Sequence, residues 1–375
     1  MEFRVEVGYT DPMTTKHDTS QREKVRHGGG NQLIDRRLCV APMMDWTDRH
    51  CRLFHRLIAP SALRFTEMVT AEAVIHGDRD RLLALAGPDQ NGAIPTALQL
   101  GGSDPARLAQ AVMAAAPYGY AEINLNVGCP SDRVQSGRFG ACLMAEPALV
   151  AECVTAMQGA IDLPVTIKCR IGIDDMDPEV GLDDFVSHIA GAGVGVVYLH
   201  SRKAWLKGLS PRENRDIPPL DYDRARRLAT DWPQLQVILN GGLDTAHATL
   251  EAADGFAGVM LGRAAYRTPM ILADVAEAFT GTAAPSRVDI ANGMADYADD
   301  VTRQGVPLHS VTRHMLGLFH GQRGARLWRR QLGEEARHRD DGGMLIREAA
   351  AACESMNNVL AVSYTHLRAH ETDLN

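Results

Sequence analysis

The 375-residue sequence lacks the signals of several protein classes. No apolar run reaches the roughly 18 residues that a membrane span requires, and charged residues occupy the N-terminus, where a signal peptide would be apolar. The seven cysteines are odd in number, scattered and without a CxxC pair, which argues against a disulfide framework or a structural zinc site. We therefore expect a soluble protein of the reducing cytoplasm that uses neither a membrane nor a metal.

The chain also has no excess of positive charge. Its formal net charge of -8 gives no overall signature of nucleic-acid binding, so such a partner would need a local basic surface. Residues 311–340 offer one, with seven arginines against three acidic residues. A solvated helical face is the ordinary explanation of such a run, and composition alone leaves both interpretations open.

Short apolar runs alternate with helical segments along most of the chain. Helical patterns, such as those over 104–116, 147–161, 182–192 and 221–230, separate the predicted strands. A doubly wound sheet more often stops at five to seven strands, so eight strand-and-helix units in about 250 residues predict an α/β fold, the (β/α)8 TIM barrel. The eight predicted strands are 38–42, 63–66, 96–100, 121–126, 165–170, 196–200, 237–240 and 258–261.

The remaining segments differ in pattern from the barrel. Residues 1–35 are polar and without period, which predicts a disordered leader before a barrel domain over 36–285. The helix-only pattern over 290–362 predicts a small all-helical C-terminal domain. Residues 363–375 do not continue that pattern, and we interpret them as a non-native or disordered tail.

One cysteine stands where a buried strand pattern runs into a polar loop. Gly128 and Pro130 flank Cys129, which places its thiol on a stiff turn beside Asn126. A lone cysteine is more often a small buried hydrophobe. The polar surroundings and the loop position favour a chemical role instead.

The predicted strand ends are polar, which at the carboxyl-terminal face of a barrel indicates one lined pocket. Small residues and one cation, at 240–242 and 262–263, suit a phosphate at the barrel rim. Lys168, His200 and Gln99 suit the polar edge of a flavin ring. Because no GxGxxG turn follows the first strand, the pattern favours FMN over NAD as the bound cofactor.

At these residues the chain resembles the tRNA-dihydrouridine synthases, most closely their A subfamily, over residues 38–332. The stretches that carry the resemblance are APMMDWTDRHCR (41–52), TEMVTAEAVIHGD (66–78), ALQLGGSDP (97–105), EINLNVGCPSDRVQSGRFGACLM (122–144), IKCRIGID (167–174), HSRKAWLKGLSPRENRDIPPLDY (200–222), NGG (240–242), GR (262–263) and TRHMLGLFHGQRGARLWRR (312–330).

The resemblance implies a reaction, a cofactor and a set of site residues. It implies reduction of the C5=C6 bond of uridines near position 20/20a of the tRNA D-loop, with hydride from reduced FMN to C6, a proton from Cys129 to C5, and NADPH as the electron source. The base must leave its stack to reach the barrel. For tRNA contacts we expect Asn126, Arg212, Arg215 and Arg313, and we expect a monomer. The implied FMN contacts are Pro42, Met43, Met44, Gln99, Lys168, His200, Asn240, Gly241, Gly242, Gly262 and Arg263.

Two other functions remain in competition. A flavoenzyme of the dihydroorotate dehydrogenase type also pairs FMN with a pyrimidine in a barrel, but it has no need of an arginine-rich helical domain. An RNA-binding protein without redox chemistry would have no need of Cys129, Lys168 and His200 together. A yellow colour on purification would argue against that second alternative.

Overall fold

The computed structural model describes residues 34–85, 95–339 and 341–372. Eight parallel strands close into a barrel in which each strand pairs with the next along the chain and the eighth pairs with the first. This confirms the predicted TIM barrel. The strands are β1 Leu38–Val40, β2 Leu63–Thr70, β3 Thr96–Gly101, β4 Glu122–Val127, β5 Val165–Arg170, β6 Val196–His200, β7 Gln236–Asn240 and β8 Gly258–Leu261.

Helices follow the strands and cover the barrel from outside. Those in the barrel part of the chain are α1 Arg49–Ile58, α2 Ala71–His76, α3 Arg79–Leu83, α4 Pro105–Ala115, α5 Asp132–Ser136, α6 Pro147–Ala160, α7 Val180–Gly191, α8 Glu213–Asp216, α9 Tyr222–Asp231, α10 Ala246–Ala252, α11 Arg263–Arg267 and α12 Ile271–Thr280. Short 3-10 turns lie at Ala116–Tyr118, Gly140–Ala145 and Glu335–Arg337.

Local sequence signals explain where several helices begin. The Asp104 carboxylate accepts the N–H of Arg107 at the start of α4, where Pro105 takes the first helical position. The four helices predicted over this part of the chain are present, with ends within two residues of those expected. The second strand is longer than predicted, because a bulge between Phe65 and Met68 carries it past the polar residues that seemed to end it.

A second, all-helical part follows the barrel in α13 Arg287–Arg303, α14 Leu308–Thr312, α15 Ala325–Gly333 and α16 Met344–Thr372. Trp328 is fully buried in it and donates its indole N–H to the Met315 carbonyl at 2.8 Å. This helical part contacts the barrel part of the chain through Asp48, the residue before α1. The Asp48 carboxylate accepts bonds from Arg313 at 2.7 Å and from His314 at 3.0 Å.

The structure describes part of the predicted leader and part of the predicted tail. The last helix continues to Thr372, since nothing between Met344 and Thr372 is glycine or proline, and it includes residues 363–372 of the predicted tail. Of the predicted leader, residues 1–33 lie outside the described residues. Ile34 packs against the barrel's lower core, and Asp35 bonds to Arg37.

A buried ion pair lies at the amino-terminal end of the barrel. The Arg36 guanidinium donates to the Glu122 carboxylate at 2.6 and 2.9 Å, and the Tyr198 hydroxyl donates to the same carboxylate at 2.9 Å. Glu122 is fully buried and Arg36 nearly so. The pair adds hydrogen-bonded charge to the apolar side chains that fill this end of the barrel, among them Phe65 and Ile34.

In the part of the chain that the structure describes, no helix has the length and hydropathy to cross a membrane. Among the same residues, no three His, Cys, Asp or Glu side chains come together as metal ligands would.

Candidate active site

The carboxyl ends of the strands bring the predicted polar residues to one mouth of the barrel. Lys168 at the end of β5 donates to the Asn240 side-chain oxygen at 2.8 Å. Asn240, at the end of β7, donates in turn to the Met260 carbonyl of β8 at 2.7 Å. These bonds fix the Lys168 ammonium across the mouth, and two of its three N–H donors have no partner among the described residues and are open to a ligand.

Cys129 lies on the loop that leaves β4. The Asn126 side-chain oxygen accepts the backbone N–H groups of Gly128 at 3.1 Å and of Cys129 at 3.0 Å. All seven cysteines are free thiols, and only Cys129 and Cys142 are partly exposed. Cys129 therefore differs from the five buried cysteines in having both a fixed backbone and an accessible sulfur.

A cluster of positive charge surrounds this thiol. Burial lowers the pKa of Lys168 to about 8 and the pKa of Arg170 to about 10. Partial desolvation of its guanidinium and the charge of Arg263 lower the pKa of Arg215, although the residue as a whole is exposed. Cys129 acts in the opposite direction and raises the pKa of all three cations. The mouth is thus a strongly cationic environment in which an anionic ligand would be favoured.

His200 at the end of β6 is a neutral member of this mouth. Burial, with the charges of Arg170 and Lys168, lowers the pKa of His200 well below its usual value. Its buried Nδ1 has no hydrogen-bond partner among the described residues. A buried polar atom without a partner is costly, so this nitrogen suits a bound ligand that bonds to it.

The turn after β7 forms a cradle of bare backbone. Gly241 has φ +111° and Gly242 has φ +69°, both in the left-handed region that glycine adopts readily. A Cβ at Gly241 would stand 3.3 Å from the His200 ring, and the Tyr222 hydroxyl donates to the Gly241 carbonyl at 2.6 Å. Beside this turn, Arg263 follows Gly262 and pairs with Asp216 at 2.7 Å.

The turn after β1 lies at the same mouth. Thr47 accepts the backbone N–H of Met43 at 2.9 Å, and Pro42 directly precedes that residue. Met44 is 56% exposed, which is unusual for a large apolar side chain. Asp45 has φ +64°, an uncommon conformation for a residue other than glycine. The exposed Met44 and the strained Asp45 are typical of a ligand-contacting turn rather than of a packed one.

Two side chains join the Cys129 loop to the loop after β6. Arg170 donates to the Gly128 carbonyl and to the Lys203 carbonyl, both at 3.0 Å. Gln135 donates to the Pro130 carbonyl and to the Leu206 carbonyl, both at 2.8 Å. The loop that carries the thiol and the loop that carries Arg212 and Arg215 are therefore fastened together.

The arginines predicted to contact RNA differ in their surroundings. Arg212 and Arg215 are exposed and make no ion pair among the described residues, whereas Arg313 is committed to Asp48. On α15 the fully buried Trp328 faces the core, and the exposed arginines have no ion pair within the described part of the chain. These exposed arginines are Arg326, Arg329 and Arg330.

Sequence reasoning missed several residues that organise the mouth. Thr166 bonds to Asn124 inside the barrel, Asn214 pins the loop after β6 through Trp205, and Gln135 bridges two loops. Only Thr166 had a sequence signal, because it lies two residues before Lys168 on one strand and so faces the same side. The other two depend on loop conformations that no periodicity describes.

The closed barrel and its polar, thiol-bearing mouth place this chain among the (β/α)8-barrel enzymes, whose sites lie at this face. A family model described as dihydrouridine synthase (Dus) matches residues 39–356. The chain belongs to the dihydrouridine synthase family.

Individual relatives agree with the family match. A protein named tRNA-dihydrouridine(20/20a) synthase from Xanthomonas campestris pv. campestris is 54% identical, over 84% of this chain and 92% of the relative. A protein of the same name from Shewanella oneidensis is 49% identical, over 84% of this chain and 93% of the relative. Among solved structures, an old yellow enzyme homologue from Zymomonas mobilis superposes with a TM-score of 0.46 at 11% identity, over 69% of this chain and 92% of its own.

Proposed function

We propose that this protein reduces uridines at positions 20 and 20a of tRNA to 5,6-dihydrouridine, with FMN as the resident cofactor and NADPH as the reductant. The observation that carries the proposal is the partly exposed Cys129 thiol, fixed at the cationic mouth of a barrel in this family. The named function of the relatives supplies the substrate and its positions.

The mouth fits an anionic flavin cofactor. The neutral imidazole of His200 has an unpartnered Nδ1, and the left-handed turn at 241–242 presents backbone without Cβ atoms. The Lys168 ammonium supplies a cation. We assign the ring edge to Gln99, Lys168 and His200, and the phosphate to the rim at Asn240, Gly241, Gly242, Gly262 and Arg263. Pro42, Met43 and Met44 would contact the ring from the turn after β1.

When bound, FMN supplies the hydride for C6 of the uracil. The residues of the chain supply the remainder of the reaction. Charge that develops at C5 and O4 of the base lies within the field of Lys168 and Arg170, and the Cys129 thiol gives its proton to C5. Asn126 holds the loop of that thiol by two backbone bonds, so the proton donor keeps its position as the charge develops.

The exposed arginines fit the backbone of an RNA. Arg212 and Arg215 stand on the loop beside the mouth, and the arginines of α15 have no competing carboxylate among the described residues. Phosphate contacts of this kind hold an RNA without reading its sequence. Arg313 belongs to the same proposal only if RNA displaces it from Asp48, to which it is bonded.

The lowered pKa of Lys168 predicts how flavin binding depends on pH. Without a ligand the ammonium loses its proton as the pH rises through about 8, and an anion binds the charged form. We expect the affinity for FMN to fall by roughly fivefold between pH 8 and pH 9, since the charged fraction of an ammonium with a pKa of about 8 falls from about one half to about one tenth. Titration of the flavin-free protein by FMN fluorescence measures this.

A matched variant separates Lys168 from other titrating groups. Lys168→Met removes the titrating ammonium and keeps the length of the side chain, so its weaker FMN affinity should no longer change over this pH range. An unchanged pH profile in that variant would assign the dependence to another group and remove Lys168 from the flavin site.

A free pyrimidine is the substrate that a barrel of this kind would otherwise accept. With NADPH present, the flavin-loaded protein should reduce uridine within unmodified tRNA and leave free uridine and orotate unchanged. Turnover of the free pyrimidine with no change in tRNA would replace the proposal with a small-molecule dehydrogenase. FMN binding without turnover of either substrate would support a binding protein.

A further inference from the structure

A chain of hydrogen bonds runs through the barrel from its base to the Cys129 loop. We call it the polar column, and its members are Glu122, Thr166, Asn124, Gln99 and Asn126. Four of the five side chains are at most 1% exposed and Asn126 is 8% exposed. A barrel interior is ordinarily filled with branched apolar side chains, so a continuous polar path calls for an explanation.

The lower half of the polar column has a fixed direction. Glu122 is paired with Arg36, and an ionised carboxylate can only accept hydrogen bonds. The Thr166 hydroxyl, 2.6 Å away, must therefore donate to it, which leaves the hydroxyl oxygen to accept the Asn124 amide N–H at 2.9 Å. Asn124 consequently turns its oxygen upward, away from the base of the barrel.

The upper half continues in the same direction. The Gln99 amide donates to the Asn124 oxygen at 2.8 Å, and the Asn126 amide donates to the Gln99 oxygen at 2.9 Å. Asn126 then presents its own oxygen to the backbone N–H groups of Gly128 and Cys129. Every donor in the polar column points down, and the backbone of the thiol loop supplies the last two.

We propose that Glu122 and Thr166 are positioning residues for the reaction centre, because they set the direction in which the amides of Gln99 and Asn126 face. This inference rests on the proposed function for its substrate. The carboxylate at the base ends the polar column with an acceptor, and the loop at the top begins it with donors. A reversal of the amides would put the Asn126 NH₂ group against the N–H of Cys129, with no acceptor for either.

The variant Thr166→Val tests this role without touching the ion pair at the base. Valine has nearly the shape of threonine but neither donates nor accepts, so the Asn124 amide N–H loses its acceptor and the polar column is held only from the thiol loop above it. We expect kcat for tRNA to fall about tenfold with KM unchanged within twofold, since the exposed arginines still bind the RNA.

Two further variants keep the test specific. Thr166→Ser retains the hydroxyl and should restore kcat to within twofold of the wild type. Thr96→Val makes the same change on β3, where the buried hydroxyl has no hydrogen-bond partner among the described residues, and should leave kcat unchanged. The unfolding temperature of all three variants shows whether any loss of kcat follows a loss of stability.

A second readout does not depend on turnover. In the flavin-loaded, tRNA-free protein, alkylation of Cys129 by iodoacetamide, followed by peptide mass spectrometry, reports how firmly its loop is held. The rate should rise at least threefold in Thr166→Val and remain unchanged in Thr166→Ser and Thr96→Val. Equal kcat and equal alkylation rates in Thr166→Val and wild type would overturn the inference.

The outcomes separate this inference from the proposed function. If the wild type forms no dihydrouridine in tRNA, the proposed function fails, and the alkylation rates still test the polar column. If the wild type is active and Thr166→Ser loses as much activity as Thr166→Val, the hydroxyl is not what matters. The role of Thr166 would then be packing alone, and the inference would be wrong.

Discussion

Cys129→Ala is expected to lower the rate of dihydrouridine formation about a thousandfold, because a positioned general acid contributes roughly 10² to 10⁴ in rate. Alanine removes the thiol proton and leaves the backbone N–H that Asn126 accepts. FMN binding and flavin reduction by NADPH should stay within twofold of the wild type, since neither step uses that proton. Nucleoside mass spectrometry and stopped-flow absorbance measure the two half-reactions separately.

Cys142→Ala provides the matched control for this prediction. Cys142 is the other partly exposed cysteine, and its thiol contacts the Phe139 carbonyl at 3.2 Å rather than the mouth. The control should keep nearly full activity. Strong product formation by Cys129→Ala, or an equal loss in both variants, would remove Cys129 from the role of acid.

Glu122→Leu should lower the free energy of unfolding by about 3 to 5 kcal/mol, the largest loss of stability expected among the variants proposed for this protein. The substitution strands the Arg36 guanidinium in the barrel base, where it is 7% exposed, and removes the acceptor used by Tyr198 and Thr166. An uncompensated buried charge costs far more than the loss of an ion pair in water. Urea denaturation of the flavin-loaded protein measures the change.

A surface ion pair of similar chemistry supplies the comparison. Arg107 donates two bonds to Glu72, at 2.7 and 2.5 Å, with both side chains open to solvent. Glu72→Leu should leave the urea midpoint nearly unchanged, because exposed ion pairs contribute little. Equal urea midpoints for Glu122→Leu and the wild type would mean that the buried ion pair does not stabilise the fold.

The fold could be predicted from the sequence because its signals are local and repeated. Buried parallel strands are short apolar runs, so β5 and β8 were placed within their observed bounds. Helix starts such as that of α4 carry a capping residue and a proline that the sequence displays. The extension of β2 was missed, because a bulge lets polar residues continue a strand.

The positions of the candidate site residues could be predicted from the sequence, but the hydrogen bonds between them could not. A residue at a strand end, such as Lys168 or Asn240, is placed at the mouth by topology alone. The bond between these two residues depends on barrel closure, as does the polar column, whose partners come from three strands. The pairing of Arg313 with Asp48, 265 positions apart, has no sequence signal at all.

Formation of dihydrouridine at positions 20 and 20a of tRNA is the reaction that we propose for this protein. The most direct test incubates the flavin-loaded protein and NADPH with tRNA that lacks dihydrouridine, and maps the product by mass spectrometry of nuclease fragments. We expect a gain of two hydrogens on the uridines at 20 and 20a, and no gain at a position changed to cytidine. Unchanged tRNA beside a flavin that NADPH reduces, or a gain of two hydrogens only at other positions, would contradict it.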